Sequence, residues 1–373
     1  MSDTDTKKAK KPTTIGGKPI ERASDADMKA LIAKAEKELG EGSLFLGSEI
    51  DDQSVLRCTT GVLAFDLMLG GGWPLNQWNE IIGYESNGKT AMVLKTIAAN
   101  QAKDPTWTVL WIDAEHFVLD WAVRLGVDLS RVYIVRTNIM EEAFQVVTEW
   151  LNARACDCVV IDSYPALTTL LEEEKSMDEL TVGTGAKLFN LFMRKSGKAI
   201  KRSLTQPDRP VLGIIINQWR DQIGGFSPQG TPKITPGGKG KNYSFFTRVE
   251  FSRLEWIQEG GFKVGLRIKA RTIKNKTAPA ERTAQVDFYT DDAGDGLYKA
   301  GAIDKVKDIL TVAMQYDVVT RAGSWYSFGP VDESTGKAKY RWNGGDAAYK
   351  EVLSDLTLQA ELDAAVRQYV LEE

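Results

Sequence analysis

The segment GYESNGKT at residues 83–90 constrains this chain more than any other, because it fits G-x-x-x-x-G-K-[ST] and carries the flanks that pattern needs. Residues 78–82, Trp-Asn-Glu-Ile-Ile, fit a buried strand, and residues 91–102 fit a helix. Gly83 and Gly88 let the backbone of Tyr84, Glu85, Ser86 and Asn87 turn its N–H groups inward around a polyphosphate. Lys89 then reaches the outer phosphates, and the Thr90 hydroxyl ligates Mg²⁺. The helix N-terminus adds its dipole. A Gly-rich turn with a surface lysine is the competing reading, and the strand and helix on either side decide against it. Binding of ATP with Mg²⁺ is the working expectation.

The rest of the chain suits a large α/β domain. It has 373 residues, 43% hydrophobic and 26% charged, enough for a sizeable core. From residue 60 to residue 217, apolar strands (78–82, 109–113, 132–135, 158–162 and 211–217) alternate with helical patterns. That alternation predicts a mainly parallel sheet covered by helices. Residues 249–256 and 263–273 predict a hairpin turned at Glu259-Gly260-Gly261, with Lys263, Arg267, Lys269 and Arg271 on its outer face. From about residue 304 helices surround a strand-like Trp325-Tyr326 patch. Residues 1–23, with five lysines and few apolar residues, predict a disordered basic tail. Ser24 opens a helix with Asp27 in a weak capping box, and Met28, Leu31, Ile32, Ala35 and Leu39 form one apolar stripe. The stripe suits its own core and another subunit equally. The expected divisions are a tail at 1–23, an N-terminal helix and linker at 24–58, an ATPase core at 59–298 and a C-terminal domain at 299–373.

Net charge of −4 excludes a wholly basic nucleic-acid coat, though not a local basic site. Cys58, Cys156 and Cys158 fit no metal spacing and read as core thiols of a reducing compartment. No apolar run reaches membrane-spanning length and the N-terminus lacks a signal-peptide core, which predicts a cytoplasmic protein without membrane contact.

In a parallel sheet, ligands sit at the carboxyl ends of the strands. Three such ends carry chemistry. Residues 158–161 lead into Asp162, a Walker-B arrangement that holds Mg²⁺ directly or through water. Residues 109–112 lead into Asp113-Ala114-Glu115, where Glu115 is placed to orient and deprotonate a water; a helix-start carboxylate is the plainer alternative. Residues 214–216 lead into Asn217-Gln218, and Gln218 suits either a γ-phosphate sensor or a strand cap. His116, the single histidine, lacks a Ser or Cys partner pattern and reads as structural.

Taken together these motifs resemble the RecA family of bacterial and phage-encoded DNA recombinases. Further carriers are the helix ending in Gly40-Glu41-Gly42-Ser43, the Ile112-to-His116 run, Leu125-Gly126-Val127-Asp128, Met193-Arg194-Lys195, Gly237-Gly238, Lys274-Asn275-Lys276 and Ala322-Gly323-Ser324-Trp325-Tyr326-Ser327. The resemblance implies a RecA-type P-loop ATPase core, an N-terminal polymerisation helix and a small α+β C-terminal domain. It implies a DNA-dependent ATPase that forms head-to-tail helical filaments on single-stranded DNA, pairs it with homologous duplex and exchanges strands, with single-strand-binding and loader proteins as further partners. Glu115 becomes the catalytic base, Gln218 the switch between ATP and DNA, and Asp120 and Trp121 the adenine contacts, although the segment after His116 is one residue shorter than the bacterial pattern. Lys274 and Lys276 reach the γ-phosphate of the adjacent subunit.

Two loops are expected to hold DNA, at residues 172–183 and 219–238. Arg220, Ile223, Lys233, Gly237 and Gly238 belong to the second, Lys239 and Lys241 come just after it, and the resemblance makes Ile223 the wedge between base triplets. Lys187 and Arg194, seven apart, share a helix face below the first loop and match its phosphate contacts. Asn242 and Val182 depart from the family's lysine and methionine, and the acidic C-terminal tail shrinks to Leu371-Glu372-Glu373, features that suit a phage-encoded member. Two rival functions share these motifs: a ring-forming helicase-type motor and a nucleotide-gated DNA-binding scaffold. The glutamate at 115 speaks against the scaffold.

Overall fold

The computed structural model describes residues 14–15, 18–19, 23–39, 44, 55–175, 183–201, 209–221, 233–238 and 240–371. Most of the expected tail and of the linker at 40–54 lies outside them. Within the tail, Thr14–Ile15 pairs antiparallel with Lys18–Pro19. Two units divide the chain, residues 1–54 with 203–207, and residues 55–202 with 208–373.

In the first unit, α1 spans Asp25–Leu39. Ser24 begins it as predicted: its Oγ accepts from the Asp27 N–H at 3.2 Å while the Asp27 carboxylate accepts from the Ser24 N–H at 3.0 Å. Met28 and Leu31 on its apolar stripe are exposed.

In the second unit the elements run α2 (Leu63–Leu69), β1 (Gln77–Ile82), α3 (Lys89–Lys103), β2 (Val109–Asp113), α4 (Leu119–Arg124), β3 (Val132–Arg136), α5 (Met140–Ala153), β4 (Cys158–Asp162), α6 (Thr184–Ile200) and β5 (Leu212–Asn217). The hairpin strands β6 (Thr247–Glu259) and β7 (Phe262–Asn275) follow, then β8 (Thr283–Tyr289) and α7 (Lys305–Gln315). A three-stranded antiparallel sheet, β9 (Thr320–Ala322), β10 (Trp325–Val331) and β11 (Ala338–Asn343), precedes α8 (Gly345–Ser354) and α9 (Leu356–Leu371).

One eight-stranded sheet organises the unit, in the order β8-β7-β6-β1-β5-β4-β2-β3. The run from β6 to β3 is parallel, and β7 and β8 are antiparallel additions at one edge. Side chains alternate between two cores because the strand period is two. Ile81, Trp111, Val160 and Ile214 pack with Met92, Val93 and Ile97 of α3 on one face. Trp78, Ile112, Ile161 and Ile215 pack with Phe144 and Val147 of α5 and Phe189 and Phe192 of α6 on the other. A sheet covered on both faces explains why its strands read as unbroken apolar runs. A third cluster joins Leu63 and Leu67 of α2 to Val306, Ile309, Phe328, Trp342, Leu358 and Leu362. The 299–373 segment therefore shares its core with a helix that precedes β1. Our division at 298/299 stands as a proposal about function.

Cys156 and Cys158 are buried and Cys58 is partly so. Among the described residues no helix is long and apolar enough to cross a membrane.

Candidate functional site

The phosphate loop leaves β1 at Gly83 and enters α3 at Lys89. Gly83 is required by close approach: a Cβ there would lie 2.5 Å from the Phe251 carbonyl of neighbouring β6. Gly88 has φ +81°, a left-handed conformation, and a Cβ there would meet Ile268 Cδ1 at 2.5 Å. Asn87 ties the loop to the sheet by donating from Nδ2 to the Phe251 carbonyl at 3.3 Å. Lys89 is buried and donates from Nζ to the Tyr84 carbonyl at 2.8 Å. Burial lowers its pKa, opposed by Asp162, Glu115 and Glu85.

The strand register brings the other predicted residues here. Ile82 pairs with Asn217 and Asp113 with Asp162, so the carboxyl ends of β1, β5, β4 and β2 line up. Glu85, Ser86, Asn87, Gly88, Lys89, Thr90, Glu115, Asp162, Ile216 and Gln218 all line one pocket of about 340 Å³. Thr90 Oγ1 donates to Asp162 Oδ2 at 2.9 Å. Burial pushes the Asp162 carboxyl up to about 7; the Thr90 hydrogen bond and Lys89 oppose the shift, and Glu115 and Asp113 add to it. A buried carboxylate and a hydroxyl, both oxygen donors, fit a hard divalent cation, whose charge would offset that burial. Among the described residues no group of three or more His, Cys, Asp or Glu side chains could hold a metal, so a cation here would share its remaining ligands with nucleotide and water.

Glu115 sits at the pocket rim, where its Oε1 accepts from the Ser163 hydroxyl and, at 3.1 Å, from Gln218 Nε2. The second contact joins the candidate base to the residue from which the second loop departs. In sequence Ser163 stands directly after Asp162 in the Walker-B arrangement without a role of its own; the structure sets its hydroxyl on Glu115. His116 is exposed, so it fills no core role.

Asp120 and Trp121 are not among the residues lining this pocket. Asp120 is exposed, whereas Trp121 is partly buried and packs edge-on against Phe288, ring centres 6.2 Å apart. In this structure Trp121 is occupied by the core, and the adenine assignment remains an expectation of the resemblance.

Of the two loops expected to hold DNA the structure describes the stems. Residues 176–182 and 222–232, with Val182 and Ile223, and Lys239 lie outside the described residues. Glu172 ends its reading as a cap: with Thr169 it closes a capping box on the short helix Leu170–Glu174. Lys187 and Arg194 are exposed on α6, and among the described residues neither has an ion pair. Arg220–Asp221 pairs antiparallel with Lys233–Ile234 and forms the stem of the second loop. Gly237 and Gly238 follow at φ +98° and +74°. Lys233 places its ammonium over the Tyr84 ring, 4.8 Å from the centre.

Lys241 corrects the sequence reading. It is fully buried, 2.6 Å from Glu80 Oε1, with further donations to Thr235 Oγ1 at 2.8 Å and Asn242 Oδ1 at 3.2 Å. Arg248 holds the other Glu80 oxygen at 2.5 Å, and Asn217 Nδ2 donates to Oε1 at 2.8 Å. Glu80 lies within β1 and is 0% exposed, so it needs these cations, and Lys241 cannot reach DNA from there. The alternation read for β7 holds, with Val264, Leu266, Ile268 and Ala270 buried, and the arginines on its outer face are paired. Arg267 pairs with Asp287 at 2.6 Å and with Glu255, and Arg271 pairs with Glu250 at 2.7 Å and Glu281 at 3.2 Å.

Lys274 and Lys276 lie at the end of β7, away from this chain's own phosphate pocket. Lys274 donates to the Asn242 and Tyr243 carbonyls at 2.8 and 3.2 Å. Lys276 is one residue beyond the strand and sits 5.5 Å from the Phe246 ring centre. Neither lines the cavity that holds Glu115, as a lysine serving a neighbouring subunit requires.

Comparison with known proteins follows the same residues. A model of the RecA N-terminal domain family matches residues 26–294, which contain the phosphate loop, Glu115, Asp162, Gln218, Lys274 and Lys276. Protein RecA of Aquifex pyrophilus is 35% identical over 347 residues, 91% of this chain and 92% of that protein. Protein RecA of Aquifex aeolicus is 36% identical over 315 residues, 84% and 85% of the two chains, and that of Listeria welshimeri is 35% identical over 300 residues, 80% of each. With a match this long and a pocket assembled from four parallel strand ends, the chain belongs to the RecA family.

Proposed function

We propose that the pocket binds ATP with Mg²⁺ and turns it over when the second loop engages single-stranded DNA. As a RecA-family protein the chain is a DNA-dependent ATPase and a recombinase of homologous recombination and repair, a family that binds DNA and forms filaments. Residues 83–90 cradle the phosphates, and Lys89 moves from the Tyr84 carbonyl to the outer phosphates. Thr90 and Asp162 hold Mg²⁺, which when bound neutralises charge between the terminal phosphates. Glu115, oriented by Ser163 and Gln218, positions the attacking water and takes its proton. Lys274 and Lys276 act on the nucleotide of the adjacent subunit, and α1 docks on that neighbour. Lys187, Arg194, Arg220, Ile223, Lys233, Gly237, Gly238 and Lys239 contact DNA. Pairing with duplex and strand exchange take place in the filament. We place the protein in the cytoplasm of a bacterium, or of one infected by a phage that encodes it, with single-strand-binding and loader proteins as partners.

One observation carries this reading: the hydrogen bond from Gln218, the residue before the proposed DNA loop, to Glu115, the proposed base. Imaging Glu115→Gln with ATP and single-stranded DNA tests it. The variant is expected to form stable helical filaments and to lose turnover. Closed rings would support the translocating motor instead, and wild-type turnover would move the base elsewhere.

A further inference from the structure

We infer that Tyr84 and Lys233 form a second link between the phosphate loop and the second DNA loop, one that holds Lys233 off DNA until nucleotide enters. The inference rests on the DNA-dependent ATPase reading above and deepens it. Lys233 has a defined position because its two-residue strand pairs with Arg220–Asp221 across the loop stem. Its ammonium lies 4.8 Å from the centre of the Tyr84 ring, within cation–π range. Tyr84 also accepts from Lys89 Nζ on its carbonyl at 2.8 Å. One residue therefore carries both lysines, Lys89 on its backbone and Lys233 on its ring.

That double attachment has a mechanical consequence. Lys89 cannot hold the Tyr84 carbonyl and reach the outer phosphates at once, so nucleotide entry removes one of the contacts that hold Tyr84. Lys233 in turn cannot sit over the ring and on a DNA phosphate at once. The Tyr84 side of the contact is 41% exposed, which leaves the ammonium open to competition by a phosphate. Among the described residues Lys233 has no ion pair to hold it otherwise. Linkage makes the effect reciprocal: whatever nucleotide does to free Lys233 for DNA, DNA does to free Lys89 for nucleotide. The Gln218–Glu115 contact acts where the chain leaves β5 for the loop, and the Lys233–Tyr84 contact acts where it returns. The two are separate links on opposite ends of one loop.

The test measures the Kd of the full chain for a fluorescent oligothymidylate, without nucleotide and with a slowly hydrolysed ATP analogue. Wild type is expected to bind more tightly with the analogue. Tyr84→Leu should tighten nucleotide-free binding about two- to fivefold, the range an exposed cation–π contact carries, and shrink the ratio of the two Kd values by that factor. Tyr84→Phe keeps the ring and should keep the wild-type ratio. Lys233→Met should weaken the analogue-bound complex more than the nucleotide-free one, a comparison that holds even if Tyr84→Leu fails to fold. Wild-type nucleotide-free affinity in Tyr84→Leu, a Tyr84→Phe shift as large as that of Tyr84→Leu, or equal losses in both states for Lys233→Met would each overturn the link. A wild-type ratio of one would overturn the link, and turnover that DNA leaves unmoved would overturn the reading on which it rests. A normal wild-type ratio that Tyr84→Leu leaves unmoved would sink the link alone.

Discussion

Lys241 and Lys187 are both lysines near a loop proposed to hold DNA, and the fold uses them in opposite ways. Lys241 is sealed inside, and its charge is matched by Glu80 in a strand that also faces Arg248. Lys187 stands exposed on α6 with its charge unmatched among the described residues, as does Arg194 two turns on. The difference separates cations that build the site from cations that can recruit a polyanion. Burial beside a carboxylate decides which is which, since a charge so enclosed cannot exchange its partner for a phosphate without leaving another charge bare.

The strongest test of this division concerns Lys274 and Lys276, which lie outside their own pocket and are assigned to the neighbour's. A Lys274→Ala/Lys276→Ala chain should lose about 10³ to 10⁵ in DNA-dependent turnover, the effect of a finger residue supplied in trans. Mixed with Glu115→Gln it should regain ATPase, with a maximum near equal proportions. Co-assembly without recovery would return both lysines to the structural class. Next in size, Lys241→Met should cost about 3–5 kcal/mol in urea unfolding, toward the lower end because Arg248 still serves Glu80. A loss below about 0.5 kcal/mol, the range of an ordinary surface change, would place Lys241 among the recruiting cations.

Lys187→Ala with Arg194→Ala should leave stability nearly unchanged and alter the salt dependence of single-strand binding. Each phosphate contact contributes about −0.7 to the log-log slope, so the double variant should be shallower by about 1.4. An unaltered slope would make them plain surface charges. The smallest effect is expected at Arg271, half exposed and already paired with Glu250 and Glu281. Arg271→Gln should cost no more than about 1 kcal/mol and leave that slope where it was. A shallower slope would show that its ion pairs yield to DNA.

How much of this was legible in the sequence follows from the range of the interactions involved. The phosphate loop, Asp162, Glu115 and Gln218 each end an apolar run, and parallel pairing brings strand ends to one edge, so local pattern plus one rule of sheet topology placed them together. The Ser24–Asp27 cap was equally local. Lys241 was misread because its partner lies 161 residues away in β1, and only the adjacency of β1, β5 and β6 encloses it. Trp121 shows the same limit, since its contact with Phe288 of β8 depends on how α4 lies on the sheet. The Lys233–Tyr84 contact had no sequence signal of any kind: a lysine in a Gly- and Pro-rich loop gives no sign of which ring it covers.

The account turns on the Gln218–Glu115 contact as the route from DNA to hydrolysis, and Gln218→Ala measures it most directly. ATPase is recorded with and without single-stranded DNA at saturating ATP, with nucleotide binding checked separately. Retained nucleotide binding is expected, with a rate with DNA that falls to the rate without it. DNA stimulation equal to wild type in Gln218→Ala would contradict it.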